Sequence, residues 1–182
     1  MNKVSTALIA GLFFAFFLNS SCGTKYAREI ANVDTLQVLI SKSEADLKTV
    51  DTIKVANVYK KGQGNITLIQ KNYKDTLTPE VAEFLSEYNS AIQALNTIRQ
   101  QYPVLQKEIA FSKDQLKNIR HDLEYNILKE EQVKESYAKE NDAVKKNMES
   151  LRVLMTVIKD KMELLGKDSI RINQMLQQAR KN

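Results

Sequence analysis

Two long series of apolar positions dominate the second half of the sequence. Each series advances by four and three residues in alternation and covers 43 residues. This repeat averages 3.5 residues, which is typical of helices packed in a coiled coil or a slender bundle. The first series is Phe84, Tyr88, Ala91, Leu95, Ile98, Tyr102, Leu105, Ile109, Ser112, Leu116, Ile119, Leu123 and Asn126. The second is Tyr137, Asn141, Val144, Met148, Leu151, Met155, Ile158, Met162, Leu165, Ser169, Ile172, Leu176 and Ala179.

The equal lengths of the two series predict an antiparallel helical hairpin, connected at 127–136. At 1.5 Å per residue, each helix would be about 65 Å long. Pairing the series end to end places side by side residues whose numbers sum to about 263. We therefore expect Ile109 near Leu154 and Met155.

Proline marks both the start and the middle of the first of these helices. Thr78 is a suitable N-cap, and Pro79 suits the first helical position. Pro103 removes a backbone hydrogen bond and predicts a break or a kink. Because the apolar series keeps its phase through Pro103, we expect one helix, kinked near 99–102.

The first third of the chain is less regular. Apolar positions from Val33 to Val50 predict a helix capped by Asp34, and Asp51 is a candidate start for a second piece. Gly62 and Gly64 weaken that piece, and a short alternation at 53–59 leaves a strand open as an alternative. The predicted fold is all-α: an elongated antiparallel bundle of three long helical segments, about 33–74, 79–126 and 130–180, with the first interrupted. These segments form one domain over 33–182.

The N-terminal segment resembles a bacterial lipoprotein signal. Lys3 precedes a mostly apolar run of 15 residues from Val4 to Leu18, which is shorter than the roughly 20 residues of a membrane-spanning helix. The run is followed by Asn19, Ser20, Ser21 and Cys22. The resemblance implies cleavage after residue 21, lipidation of Cys22 and a tether at 22–32. The alternatives are an ordinary secretory signal with a spare cysteine and an uncleaved signal anchor.

Composition supports long helices and narrows the possible functions. Only Gly23, Gly62, Gly64, Gly166, Pro79 and Pro103 are potential helix breakers after residue 21. Cys22 is the single cysteine, so no intrachain disulfide can form. The net charge of +5 is small and dispersed, which argues against nucleic acid as a partner.

Candidate chemistry is sparse. One histidine cannot build a histidine-based zinc site, and we expect His121 on a solvated face. Glu130, Glu131, Glu140 and Asp142 are expected on the charged surface near the hairpin tip. Met148, Met155 and Met162 lie seven residues apart; we expect them in the core, although such a stripe can form an adaptable binding groove. We therefore predict no catalytic residue, metal or cofactor, and Cys22 is the only predicted site.

Two family resemblances follow from these segments. The signal, the long helices and the stretches 102–105 and 115–124 resemble small helical bacterial lipoproteins that carry coiled-coil labels such as viral A-type inclusion protein. That resemblance implies no activity. The chain is also similar, in its slender helices and basic charge, to the periplasmic chaperone that holds unfolded outer-membrane proteins. That family differs in lacking a lipid and in having a small β-rich core.

The sequence therefore predicts a non-enzymatic structural or protein-interaction module of the bacterial cell envelope. The membrane would hold it through lipidated Cys22, with the outer membrane favoured and the body in the periplasm or at the cell surface. We expect an envelope protein as its partner. The alternative function is a chaperone-like holder of unfolded clients.

Overall fold

The computed structural model describes residues 25–72 and 78–179, which form five helices and no strand. The helices are α1 (Ala27–Lys48), α2 (Thr52–Asn72), α3 (Pro79–Glu124), α4 (Glu130–Lys167) and α5 (Ser169–Ala179). The all-α helical bundle predicted from the sequence is confirmed. The residues of the alternative strand at 53–59 belong to α2.

The helices α1 and α2 form one interrupted segment that runs antiparallel to α3. On α1, Asp34 pairs with Arg120 at 2.7 Å. On α2, Asn65 donates a hydrogen bond to the Tyr88 hydroxyl at 3.2 Å. The break between α1 and α2 falls at 49–51, where the Asp51 carboxylate accepts the Lys54 backbone N–H at 2.8 Å. Asp51 therefore starts the second piece as expected.

The first helix starts earlier than the sequence indicated. It begins at Ala27 rather than at 33, so Asp34 lies inside α1 and pairs with α3 instead of capping. Tyr26 is only 3 % exposed, so its ring supplies the apolar contact that ties the start of α1 to the bundle. The later part of the proposed tether, 27–32, is thus helical.

Pro103 lies inside α3, which is continuous over 46 residues. Of the predicted apolar series, every position from Phe84 to Leu123 is buried except Tyr102, which is half-buried. The Tyr102 hydroxyl donates a hydrogen bond to the Leu47 carbonyl at 3.4 Å. The prediction that one helix continues through Pro103 is confirmed, because burial on both sides of Pro103 outweighs one lost hydrogen bond. The kink expected near 99–102 stays a prediction.

The register between α3 and α4 differs from the prediction by about one helical turn. Asn147 on α4 donates a hydrogen bond to Ser112 on α3 at 3.2 Å, and these numbers sum to 259 rather than 263. Ile109 is therefore not level with Leu154 and Met155. The cause is the connection: α3 ends at Glu124 and α4 starts at Glu130, so the turn is shorter and earlier than the assumed 127–136.

The residues of α4 that face the core also differ from the predicted apolar series, at every second position of that series. Tyr137, Val144, Leu151, Ile158 and Leu165 face inward as predicted. The intervening inward positions are Glu140, Asn147 and Leu154, one residue before the predicted Asn141, Met148 and Met155. Met148 and Met155 are consequently 38 % and 39 % exposed, and the expectation that they lie in the core was wrong.

The third helical segment is interrupted near its end, where the sequence predicted one helix to 180. The helix α4 stops at Lys167, and α5 starts at Ser169. The Ser169 hydroxyl donates to the Gly166 carbonyl at 2.8 Å. The break lets α5 pack along α2.

Gly62 is a point of close approach between α2 and α3. A Cβ added there would lie 2.7 Å and 2.8 Å from side-chain atoms of Ile92, which is fully buried. Around Gly64 there is open space. The helix therefore tolerates two glycines, and one of them brings the helices together.

The core divides into two groups along the bundle. We call the first the proximal half; it joins α1, the later part of α3 and the first part of α4, around Ile40, Leu116 and Val144. The distal half joins α2, the first part of α3, the end of α4 and α5, around Ile69, Leu95 and Ile172.

Candidate interaction groove

An open groove runs between α3 and α4 on a face that neither α1 nor α2 lines. It has a volume of about 560 Å³. Val104 of α3 and Val153 of α4 stand at its sides, with 56 % and 46 % of their surface exposed. Leu105 and Leu154 are buried beneath them. Apolar side chains are therefore presented to solvent directly above the core.

A second groove of about 350 Å³ continues the first toward the loop between α3 and α4. Phe111, which is 62 % exposed, lines it, and Glu108 and Lys146 line both grooves. From Gln100 to Ser112 the combined groove is about 18 Å long at 1.5 Å per residue. We call this combined surface the α3–α4 groove.

The charges beside the α3–α4 groove are mixed in sign. Lys107 and Glu108 lie on α3, and Lys146 and Glu149 lie on α4. Glu149 forms a bidentate ion pair with Arg152 at 2.6 Å and 2.9 Å, which lowers the pKa of its carboxyl. The groove is thus an apolar strip between balanced charges, without an excess of either sign.

Buried polar groups lie beneath the second groove. Ser112 and Asn147 are 2 % and 3 % exposed and are hydrogen-bonded to each other. Ser43 on α1 is also buried and donates to the Leu39 carbonyl at 3.1 Å. Since the neighbouring residues Glu44 and Lys113 form an ion pair, Ser43 and Ser112 lie at the same level of the bundle.

Glu140 departs most clearly from the sequence prediction. It was expected on the charged surface, but it is 5 % exposed, and its Oε2 has no hydrogen-bond partner among the described residues. Burial raises the pKa of its carboxyl, because the ionised form loses water, while nearby Lys139 acts in the opposite direction.

The remaining acidic and imidazole groups are solvated as predicted. Glu130, Glu131 and Asp142 are exposed. The side chain of His121 is 61 % exposed and lies 3.3 Å from the Asp122 carboxylate. Within 25–72 and 78–179, no cluster of three or more metal-binding side chains occurs.

Exposed Met155 and half-buried Met162, which packs against the distal core, belong to a different, smaller groove. Met155 and Met162 line a space of about 280 Å³ between α4 and the break that separates α1 from α2. Val50 and Val55 form its other side. Its position at a break in the helices distinguishes it from the α3–α4 groove.

The predicted signal at 1–21 and Cys22 lie outside the described residues. In the described part of the chain, no helix is both long enough and apolar enough to cross a membrane.

Val104, Phe111 and Val153 were missed in the sequence because they do not belong to the two apolar series. A signal was present: Val104 and Phe111 are apolar, lie seven residues apart, and each directly precedes a residue of the series. Seven residues are two helical turns, so both lie on one side of α3. Apolar residues adjacent to a predicted core position are the pattern that would have revealed the groove.

Comparison of the chain with protein-family models, with curated proteins and with solved structures finds no match.

Proposed function

We propose that the chain is a bacterial envelope lipoprotein, lipidated at Cys22, whose helical bundle is a non-enzymatic protein-interaction module. The α3–α4 groove is the observation that carries this proposal. Its exposed apolar side chains form a strip along two rigid helices, and exposed apolar strips bordered by polar residues are typical of protein-binding surfaces. The described residues contain no cluster of groups that would favour an enzyme.

An amphipathic helix of another envelope protein is the partner that suits the groove. The α3–α4 groove is long and straight because helices form both of its sides. A partner helix of about three turns would cover about 18 Å of it. Its apolar side chains would contact Val104, Phe111 and Val153, and mixed charges would face Glu108 and Lys146. The partner would thereby become a third helix beside α3 and α4 on their open side.

Lipidation of Cys22 is supported by the signal-like segment and by the cysteine count. A single unpaired thiol is unusual in an exported protein, where cysteines are commonly paired. Acyl chains on Cys22 would retain the bundle at a membrane, with the outer membrane favoured. Since α1 begins beside the loop that follows α3, the groove would start about 20 Å from the bundle end next to Cys22.

A photoreactive amino acid at Val153 tests the partner in living cells. We expect one discrete cross-linked product in the envelope fraction. Phe111→Asp or Val104→Asp in the same chain should remove at least nine-tenths of it, because a charge in the strip opposes burial. Val38→Asp is the matched control, since Val38 is 69 % exposed on α1. A product that survives both groove variants, or no product, would contradict the proposal.

A second candidate function is the holding of unfolded client proteins, favoured by the groove that contains Met155 and Met162. Methionine adapts its shape to varied apolar partners. In an aggregation assay with an unfolded outer-membrane protein, Met155→Ser with Met162→Ser should abolish suppression if this candidate is correct. Equal suppression by the variant, or none by the original chain, would eliminate it.

A further inference from the structure

The start of α1 and the loop at 125–129 lie together at one end of the bundle. The Tyr26 hydroxyl donates a hydrogen bond to the Leu128 carbonyl at 3.2 Å. The Lys25 ammonium lies over the Tyr26 ring, 4.8 Å from its centre. The chain that leads back to Cys22 therefore leaves the bundle beside this loop.

The short distance along the chain limits how far this end can be from the lipid. Tyr26 follows Cys22 by four positions in the sequence, and a fully extended chain spans at most about 14 Å over four residue steps. This step depends on the proposed function, because it assumes that Cys22 carries lipid. With Cys22 at the membrane surface, the loop at 125–129 is kept close to that surface through the contact of Tyr26 with Leu128.

The loop has a defined backbone structure that leaves an apolar residue unpaired. Asn126 has φ of 53°. The Asn126 N–H donates to the Leu123 carbonyl at 3.3 Å, and the Ile127 N–H donates to the Asp122 carbonyl at 2.8 Å. This is a Schellman ending, in which the residue at the Ile127 position commonly packs against the residue at the Asp122 position. Because Asp122 is charged, it gives Ile127 no apolar contact, and Ile127 is 59 % exposed.

Tyr125 adds a second exposed group beside Ile127. It is 69 % exposed, and its ring centre lies 4.6 Å from that of His121. Tyrosine is enriched at membrane interfaces, because its ring is apolar and its hydroxyl remains hydrated. Exposed isoleucine and tyrosine side chains are of the kind that bind a lipid surface, and here they lie at the end of the bundle nearest Cys22.

Charge does not supply the attraction at this end. Lys25 and Lys129 are exposed, but so are Glu130 and Glu131, and Glu130 is paired with Lys134 at 2.8 Å. The contact must therefore be apolar rather than electrostatic, and it would not require anionic lipid.

We propose that Tyr125 and Ile127 insert into the interface of the membrane that holds Cys22. They form a second contact that keeps the proximal end of the bundle on the membrane and directs the distal end away from it. The occupant of this surface is the headgroup boundary of a lipid bilayer. The α3–α4 groove then stands above the surface, accessible to a partner.

Because the chain contains no tryptophan, Ile127→Trp introduces a single fluorescent reporter into the loop. The full chain is produced in a bacterial host, purified from its membranes and reconstituted in phosphatidylcholine vesicles that contain brominated acyl chains. We expect at least threefold quenching of this loop reporter relative to unbrominated vesicles, unchanged in 1 M NaCl. The control is Ile170→Trp, because Ile170 is 69 % exposed on α5 at the distal end; we expect no quenching of that distal reporter.

A second reporter tests whether the two side chains cause the contact. The tryptophan introduced by Lys129→Trp should be quenched in the original loop, and Tyr125→Ser with Ile127→Ser should reduce that quenching at least threefold. Quenching in the Ile127→Trp variant no greater than in the Ile170→Trp variant would overturn the proposal. Quenching in the Lys129→Trp variant that is insensitive to the two serines would overturn it as well.

Palmitate incorporation, measured in the same preparations, separates this proposal from lipidation. Labelled Ile127→Trp protein whose tryptophan is not quenched overturns the membrane contact alone. A quenched tryptophan in unlabelled protein supports the contact and overturns lipidation of Cys22. Loss of both signals overturns both proposals.

Discussion

The proximal half of the bundle buries four polar side chains, Ser43, Ser112, Glu140 and Asn147, whereas the distal half buries none among the described residues. The proximal half also has ion pairs between helices, from Asp34 to Arg120 and from Glu44 to Lys113. The distal half has a hydrogen bond between helices, from Asn65 to Tyr88, and a close approach at Gly62 and Ile92. Buried polar residues and ion pairs therefore align the helices of the proximal half, whereas the distal half combines one hydrogen bond with close packing.

The two halves should nevertheless unfold together, since α3 passes through both. Leu95 in the distal half and Leu116 in the proximal half are both fully buried. We expect Leu95→Ala and Leu116→Ala each to lower the free energy of unfolding by about 2–5 kcal/mol. Urea unfolding followed by circular dichroism should show one shared transition for each variant. Two separate transitions, with each variant shifting only its own, would show that the halves are independent.

Replacing each glycine of α2 by alanine tests the role of shape in the distal half. Gly62→Ala should lower the free energy of unfolding by about 1–3 kcal/mol, because the added methyl group overlaps Ile92. Gly64→Ala is the matched control and should raise it by up to about 1 kcal/mol, since alanine favours helix and the site is open. Equal effects of the two variants in thermal unfolding would contradict the close packing of α2 on α3.

Glu140→Leu tests how far the buried carboxyl in the proximal half lowers the free energy of unfolding. We expect it to raise the free energy of unfolding at pH 7 by about 1–2 kcal/mol, because it replaces a buried carboxyl whose Oε2 has no hydrogen-bond partner among the described residues. The folded state raises the pKa of Glu140 above its ordinary value of 4.5. The original chain therefore loses stability as the pH rises through the raised pKa, and the advantage of the variant should be smallest at about pH 4.

Urea unfolding at several pH values measures this effect. Glu135→Leu, at an exposed position of the same helix, is the control and should show no comparable pH dependence. If Glu140→Leu raised the free energy of unfolding by the same amount at about pH 4 and pH 7, ionisation of Glu140 would not destabilise the folded chain.

Removal of an ion pair between helices should change the stability of the chain least. Lys113 and Lys48 lower the pKa of Glu44 to about 2. The contribution of this group is present above its ordinary pKa of 4.5 and is lost as the pH falls through about 2. We expect Glu44→Gln to lower Tm slightly at pH 7, with the difference shrinking toward about pH 2.

Glu163→Gln is the control for this prediction, because Glu163 pairs with Lys167 on the same helix at 2.7 Å. Its effect on Tm should be smaller than that of Glu44→Gln, since no contact between helices is lost. The reverse order in a thermal scan would contradict the role of the ion pair in aligning α1 with α3.

The course of α3 could be predicted from the sequence because apolar residues occupy almost every inward position. Because that series keeps its phase across Pro103, it was sufficient to predict that the helix continues through this residue. The inward face of α4 could not be predicted in the same way. Glu140 and Asn147 lie at core positions, and Asn147 is accommodated by its hydrogen bond to Ser112 on another helix. Hydrophobic periodicity within one helix contains no information about such a partner.

The register between α3 and α4 and the α3–α4 groove could not be predicted from the sequence, for related reasons. The register depends on where the turn between α3 and α4 starts, and Asn126 in its left-handed conformation sets that point. The α3–α4 groove depends on Val104, Phe111 and Val153, which are exposed because α1 and α2 pack on another face. Only the packed arrangement shows which apolar residues remain uncovered.

Metabolic labelling with palmitate tests the central claim most directly. The full chain and its Cys22→Ala variant would be produced in a bacterial host, and the label would be measured in the purified protein. We predict label in the original chain, loss of at least nine-tenths of it in the variant, and an unchanged helical circular dichroism spectrum. Equal labelling of the two chains, or no label in either, would contradict lipid anchoring through Cys22.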